Sequence, residues 1–326
     1  MDSVAFSTLL VYHGLAGRYT NSREDHAMDS ITRRKFLRDG ALGVAALAAA
    51  SRSTSRLVAD PLGLPIGLEL YTVRDEVARD LPGTLKKVAQ VGYREVEAGG
   101  LANKAKATEF RQAVQDAGLA CPSLHFDYAG LRSELPDEIE IAKTVGATYM
   151  ICSNLPDAER SLDGYHKAAD VFNHAGEECL KAGLHIGYHC HNFDFTFFDG
   201  VAGFDELLRL TDPQAVGMQM DCFWVTRAGR DPVHYLNTYP GRFPTLHIKD
   251  LKPGYPAGTA THDGPTAGNK GGTFTEVGRG VIDWKRIFAA APKGGLKHYF
   301  VEQDFSDDPP VETIKISYDY LHALTV

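Results

Sequence analysis

A (β/α)8 barrel is the fold class this sequence predicts, and three observations predict it. Short apolar runs alternate with helical patterns throughout residues 61–326. The apolar runs are continuous, as in strands buried on both faces. Many helical stretches close alike, in VAQVGY, QDAGL, KTVGA and LKAGL, where a Gly after the last turn leads into a β-rich run. A doubly wound open sheet is the alternative, but no GxGxxG follows the first strand.

Strands are expected at 66–71, 93–97, 120–126, 148–152, 185–191, 217–221, 244–249 and 299–302. Helices fall between them at 81–91, 107–117, 134–145, 162–181, 203–210, 232–238 and 284–290, and a last one at 311–323 closes the series. The Gly- and Pro-rich segment 251–280 follows the seventh strand and carries His262 and Asp263. A loop that long inside a compact domain reads as an active-site lid.

Residues 1–60 read as a leader and linker outside the barrel. Thr32-Arg33-Arg34-Lys35-Phe36-Leu37 has the pattern of a twin-arginine export signal, followed by an Ala-rich stretch too short to span a bilayer. Met28 is a natural start for that signal. Export by this route implies folding, and any metal loading, before transport to the periplasm or beyond. The formal net charge is −8, with no long basic run. That argues against nucleic acid and anionic membrane surfaces as partners and favours a small polar substrate. The five cysteines, 121, 152, 179, 190 and 222, are odd in number and scattered, so buried thiols are expected rather than a disulfide framework.

The chemistry concentrates in the second half. His189 in HIGYHCH, Asp221 in VGMQMD, His247 in FPTLHIKD and Glu302 in HYFVEQD each stand at or near the C-terminal end of an apolar run. In a parallel barrel these ends converge on the face where such folds keep their active sites. Two imidazoles and two carboxylates around a point suit a divalent metal, with Mn, Mg, Co and Zn all open. Glu97, His125 and Asn154, at other predicted strand ends, are candidate pocket residues, as are Glu69 and Tyr71 on the first strand. Each principal residue also has a structural alternative. His189 could be a core imidazole, His191 a supporting residue, Asp221 the cap of the next turn, and Glu302 an ion-pair partner of Lys249.

The phrases GLELYTVRD, PGTLKKVAQVGYREVE, GYHCHNFDF, DCFWVTRAGRDP, FPTLHIKD, FTEVGRGVIDW and YFVEQD resemble the sugar phosphate isomerase/epimerase family of xylose isomerase-like barrels, from about residue 65 to the end. That resemblance implies metal ligands at the ends of strands five to eight, commonly Glu, Asp, His and Glu. Asp221, His247 and Glu302 match the last three; His189 stands where a Glu is usual. The family's D-x-x-H after strand six becomes Asp221-Cys222-Phe223-Trp224, so Trp224 is expected as an aromatic platform for a sugar. The implied chemistry is proton abstraction beside a carbonyl that a cation polarises. Glu302, His189 and Lys249 are the expected catalytic groups, and His125, His191, Trp224 and Glu97 the expected substrate contacts. Isomerisation or epimerisation is the first expectation. A lyase or hydratase acting on keto-sugars or 3-keto-glycosides is the alternative, and a non-catalytic sugar-binding protein a further one.

Overall fold

The computed structural model describes residues 60–255, 257–258, 263 and 269–326. The expected leader, apart from Asp60, lies outside the described residues, as does most of the tip of the 251–280 segment, including His262.

Eight parallel strands close a barrel: β1 (Ile66–Glu69), β2 (Glu95–Gly99), β3 (Ala120–Phe126), β4 (Tyr149–Cys152), β5 (His185–His189), β6 (Val216–Asp221), β7 (Thr245–Ile248) and β8 (His298–Val301). Each pairs with the next, and β8 pairs back onto β1. The main helices are α1 (Leu81–Val91), α2 (Lys104–Asp116), α3 (Leu135–Val145), α4 (Leu162–Lys181), α5 (Gly203–Leu210), α6 (Pro232–Thr238), α7 (Trp284–Gly294) and α8 (Pro310–Ala323). Strand β3 and helices α1, α4, α5 and α6 have the boundaries that sequence predicts. β1 is shorter than expected, because the chain turns into a 3-10 segment at Leu70–Val73. The expected β5 run stops at His189.

Local chemistry sets the helix ends. Asp80, Asn103, Ser161 and Asp283 accept backbone N–H bonds from the first turns of α1, α2, α4 and α7. The barrel interior needs small residues where large ones cross it. A Cβ on Gly67 of β1 would stand 2.5 Å from the Phe300 ring and 2.8 Å from the Tyr299 carbonyl oxygen.

Register aligns the polar residues. Glu69 lies beside Glu97, Glu97 beside Ser123, His189 beside Gln219, and Asp221 beside His247. Alternation of side chains along each strand then sends Gln219 with Asp221, and His247 with Lys249, to one face. Between Glu95 and Glu97 the β2–β3 register shifts, because three residues of β3 span two of β2.

Beyond β7, Asp250–Leu251 pairs antiparallel with Phe274–Thr275. Asp250 anchors the returning chain by accepting from the N–H groups of Gly278, Gly280 and Ile282 and from the Trp284 indole. The segment's base is therefore a built element. No helix among the described residues is long and apolar enough to cross a membrane.

Candidate metal centre and cavity

His247 is the centre of the site. Its Nδ1 lies 2.6 Å from Glu302 Oε2, and its Nε2 bonds to Glu97 Oε2. Glu97 also accepts from Ser123 Oγ and, at 2.8 Å, from Gln219 Nε2. Gln219 Oε1 in turn meets His125 Nε2 at 2.7 Å and His189 Nδ1 at 2.8 Å. An amide oxygen only accepts, so both imidazoles present N–H to it. His189 is left with an unprotonated Nε2, which stands 3.7 Å from Asp221 Oδ2.

Lys249 lies among three carboxylates: Glu302 at 2.8 Å, Asp304 at 3.0 Å and Asp221 at 3.2 Å. Asp221 Oδ1 accepts from the Trp224 N–H at 2.9 Å, so Asp221 does cap the following turn. Its other oxygen, Oδ2, is buried without a hydrogen-bond partner. His191 Nδ1 and Glu69 Oε2 are buried and unpartnered too. The His191 backbone N–H donates to Asp194, which also accepts from Tyr165 and Tyr188 and so fixes the start of that loop.

The electrostatics follow from burial and surplus negative charge. Burial opposes protonation of His247, but Glu97 and Glu302 flank it and push it up to about 10. Burial opposes ionisation of Glu302, yet Lys249 and His247 hold it well below the usual carboxylate range. Burial lifts Glu69 to about 8, helped by Glu97 and Glu302. Burial and then neighbouring cations push His189 well below the ordinary imidazole range, so it is neutral. Lys249 is held firmly as an ammonium by Asp221, Asp304 and Glu302 against the effect of burial.

The residues fit a divalent ion. Ligand atoms of Asp221, His247 and Glu302 all lie within 4.8 Å of one another, and so do those of His125, His189 and His247. The Asp221 oxygen that pairs with Lys249 at 3.2 Å and the acceptor nitrogen of His189 supply lone pairs that no hydrogen bond uses. With an ion bound, a carboxylate behind a histidine, as Glu97 is behind His247, would keep the proton on Nε2 and turn Nδ1, here bonded to Glu302, toward the metal. Ligand atoms of His189 group with those of His125 and His247, and its Nε2 also stands 3.7 Å from Asp221 Oδ2, on the side away from the Nδ1 that meets Gln219.

A cavity of about 940 Å³ opens onto this cluster, with Glu69, His125, His189, His191, Lys249, Glu302 and Asp304 in its wall. Two expected substrate contacts stand elsewhere. Glu97 is fully buried beneath His247 and does not line the cavity. Trp224 is only 8% exposed and packs against Phe223 and Phe274, behind His191 and Lys249, so it offers no open platform. Lys249, an expected catalytic group, lines the cavity among three carboxylates that favour its ammonium form. Gln219, Ser123 and Asp304 were not singled out by sequence. Their spacing of two from Asp221, His125 and Glu302 was the available signal.

Residues 85–324 match the xylose isomerase-like TIM barrel family, and the chain belongs to that family. An inosose dehydratase of Lacticaseibacillus casei is 30% identical over 165 residues, 49% of this chain and 55% of that protein. The chain thus matches about half the length of the curated relatives. A sugar phosphate isomerase/epimerase from Parabacteroides distasonis ATCC 8503 is 25% identical, with a TM-score of 0.66 over 79% of this chain and 94% of that one. The IOLI protein, solved with a zinc atom, shares the fold at 16% identity and a TM-score of 0.60, over 78% of this chain and 96% of that one.

Proposed function

We propose that this xylose isomerase-like barrel protein is a divalent-metal-dependent lyase of the dehydratase type, acting on a keto-sugar, an oxidised polyol or a 3-keto-glycoside. Asp221, His247 and Glu302, with His189 beside them, are the residues that would hold the ion. A set of imidazoles and carboxylates suits Zn, Mn or Co better than Mg. When bound, the ion supplies a Lewis acid for the substrate carbonyl.

One observation carries the preference for elimination. Reversible epimerisation needs a proton-transfer group on each side of one carbon, and the strand-five position offers a neutral imidazole whose Nδ1 is tied to Gln219. An elimination needs one base and one acid. Glu302 is ionised and lines the cavity, so it is assigned the proton beside the ketone. Glu69 and His125 both hold protons more firmly than usual and line the same cavity. Either can protonate the departing oxygen as the carbon–oxygen bond breaks, leaving an enone and water or an alcohol. Carboxyl groups with such divergent proton affinities are the pattern of acid–base pairs. The inosose dehydratase relatives support the same reading.

Isomerisation or epimerisation is the second reading, favoured by the likeness to the Parabacteroides protein. The test is NMR of metal-loaded protein with inosose and with 3-keto-glucosides in deuterated buffer. Elimination gives an enone and a released leaving group. Epimerisation gives exchange and a new stereoisomer without release. Neither product on any keto-substrate would sink both readings and leave a sugar-binding protein. The twin-arginine pattern further supports work outside the cytoplasm, which fractionation of cells with and without Arg33→Lys and Arg34→Lys would check.

A further inference from the structure

The cavity has two chemically distinct halves. The inner half is the charged cluster. The outer half is built by the segments after β1, β2 and β8, by the start of α1 and by α2. Its wall includes Tyr71, Val77, Leu81, Leu101, Phe110 and Phe305, with Arg74, Lys106 and Glu109 among them. Its volume, about 940 Å³, is near the upper end of pockets that enclose drug-sized ligands, and one sugar ring fills only a fraction of it.

The outer half is held in shape. Tyr71 is 49% exposed, and it lines the cavity mouth. The Arg74 guanidinium sits 4.2 Å from the centre of the Tyr71 ring. It donates to the Tyr71 carbonyl at 2.8 Å and to the Asp304 carbonyl at 3.0 Å. The aromatic wall is thereby pinned to the loop that carries Asp304. Arg74 covers one face of the Tyr71 ring, and the rest of this half-exposed ring, beside aliphatic side chains, is a surface for an apolar group.

A second recess of about 810 Å³ continues from the same mouth, sharing Gly99–Ala102, His125 and Ser153. Its far wall carries Asp127, Glu134, Asp137, Glu138 and Glu140, so it would suit a hydroxyl-rich or cationic group instead.

We infer that the outer half is a subsite for an apolar, aromatic aglycone, so that the substrate is an aryl glycoside whose sugar ring sits at the metal end. This rests on reading the inner end as a sugar site. Burying one aromatic ring against such a wall tightens binding by about 10- to 100-fold.

Calorimetry with three unoxidised probes tests this without requiring turnover: p-nitrophenyl β-glucoside, methyl β-glucoside and cellobiose, each with metal-loaded protein. The aryl glucoside should bind about 10- to 100-fold tighter than the methyl glucoside. Val77→Asp and, separately, Leu101→Asp should shrink that ratio several-fold, and both positions are partly exposed, so the changes are compatible with a folded barrel. An aryl-to-methyl ratio near one in the unsubstituted protein, or no binding of any probe, overturns the inference. Cellobiose binding tighter than the aryl glucoside also overturns it and assigns the acidic recess in its place. None of the probes carries a ketone, so failure of the elimination reading and failure of this one are separately visible.

Discussion

Glu95 and Glu97 stand two residues apart on β2 and both meet a histidine, but in different settings. At the N-terminal end of the barrel, Glu95 pairs with His298 at 2.8 Å, and Tyr149 lies edge-on to His298 and stacks on His185. Neither Glu95 nor His298 leaves a buried polar atom unpartnered. At the C-terminal end, Glu97 joins His247, Ser123 and Gln219, while Glu69, Asp221 and His191 keep orphaned buried atoms nearby. The first pair closes on itself and plugs the barrel. The second belongs to a network whose carboxylates outnumber its cations and whose lone pairs are incompletely used. The difference teaches that histidine–carboxylate chemistry alone does not mark a site; unfinished satisfaction at the strand C-termini does.

The largest expected effect is at Glu302. Glu302→Gln should lower elimination by roughly 10²–10⁴-fold, read as enone formation, with an unchanged circular dichroism spectrum. A loss under tenfold would remove Glu302 from proton transfer. Next is the supporting amide. Gln219→Leu frees the tautomers of His125 and His189 and should weaken metal affinity by about 10- to 100-fold, measured with a competing chelator. Unchanged affinity would make Gln219 mere filling, like Tyr149 at the opposite end.

A smaller effect is a pH slope. Glu69 is raised to about 8 in the fold. Its contribution to stability is complete below its ordinary carboxylate range and is lost as pH rises through about 8. Metal-free protein should therefore lose stability across that window in denaturant titrations, and Glu69→Gln should flatten the slope. A slope of the opposite sign in metal-free protein, attributable to Glu69, would refute this. The smallest effect is at the other end: Glu95→Gln should cost about 1 kcal/mol of stability and leave metal affinity intact.

Much of this was legible in sequence. Buried runs bounded by Gly C-caps predicted the eight strands and eight main helices, because capping chemistry is local. The short helices Arg74–Arg79, Tyr128–Ser133 and Cys222–Arg227 were not expected, since six residues give no periodic face to read. Asp221, His247, Glu302 and His189 were readable as candidates because ionisable groups at the ends of apolar runs stand out, and the barrel brings them into one cluster. Gln219 and Ser123 did not stand out, being neutral; their role comes from register and from alternation with Asp221 and His125. The burial of Trp224 was not legible because it depends on Phe274, which packs against it from far off in sequence.

Calorimetric titration of a divalent metal into chelator-stripped protein tests the central contrast most directly. The account predicts tight, saturable binding that disappears in His247→Ala and persists in His298→Ala. Absence of binding in the unsubstituted protein, or binding that survives His247→Ala but fails in His298→Ala, would contradict it.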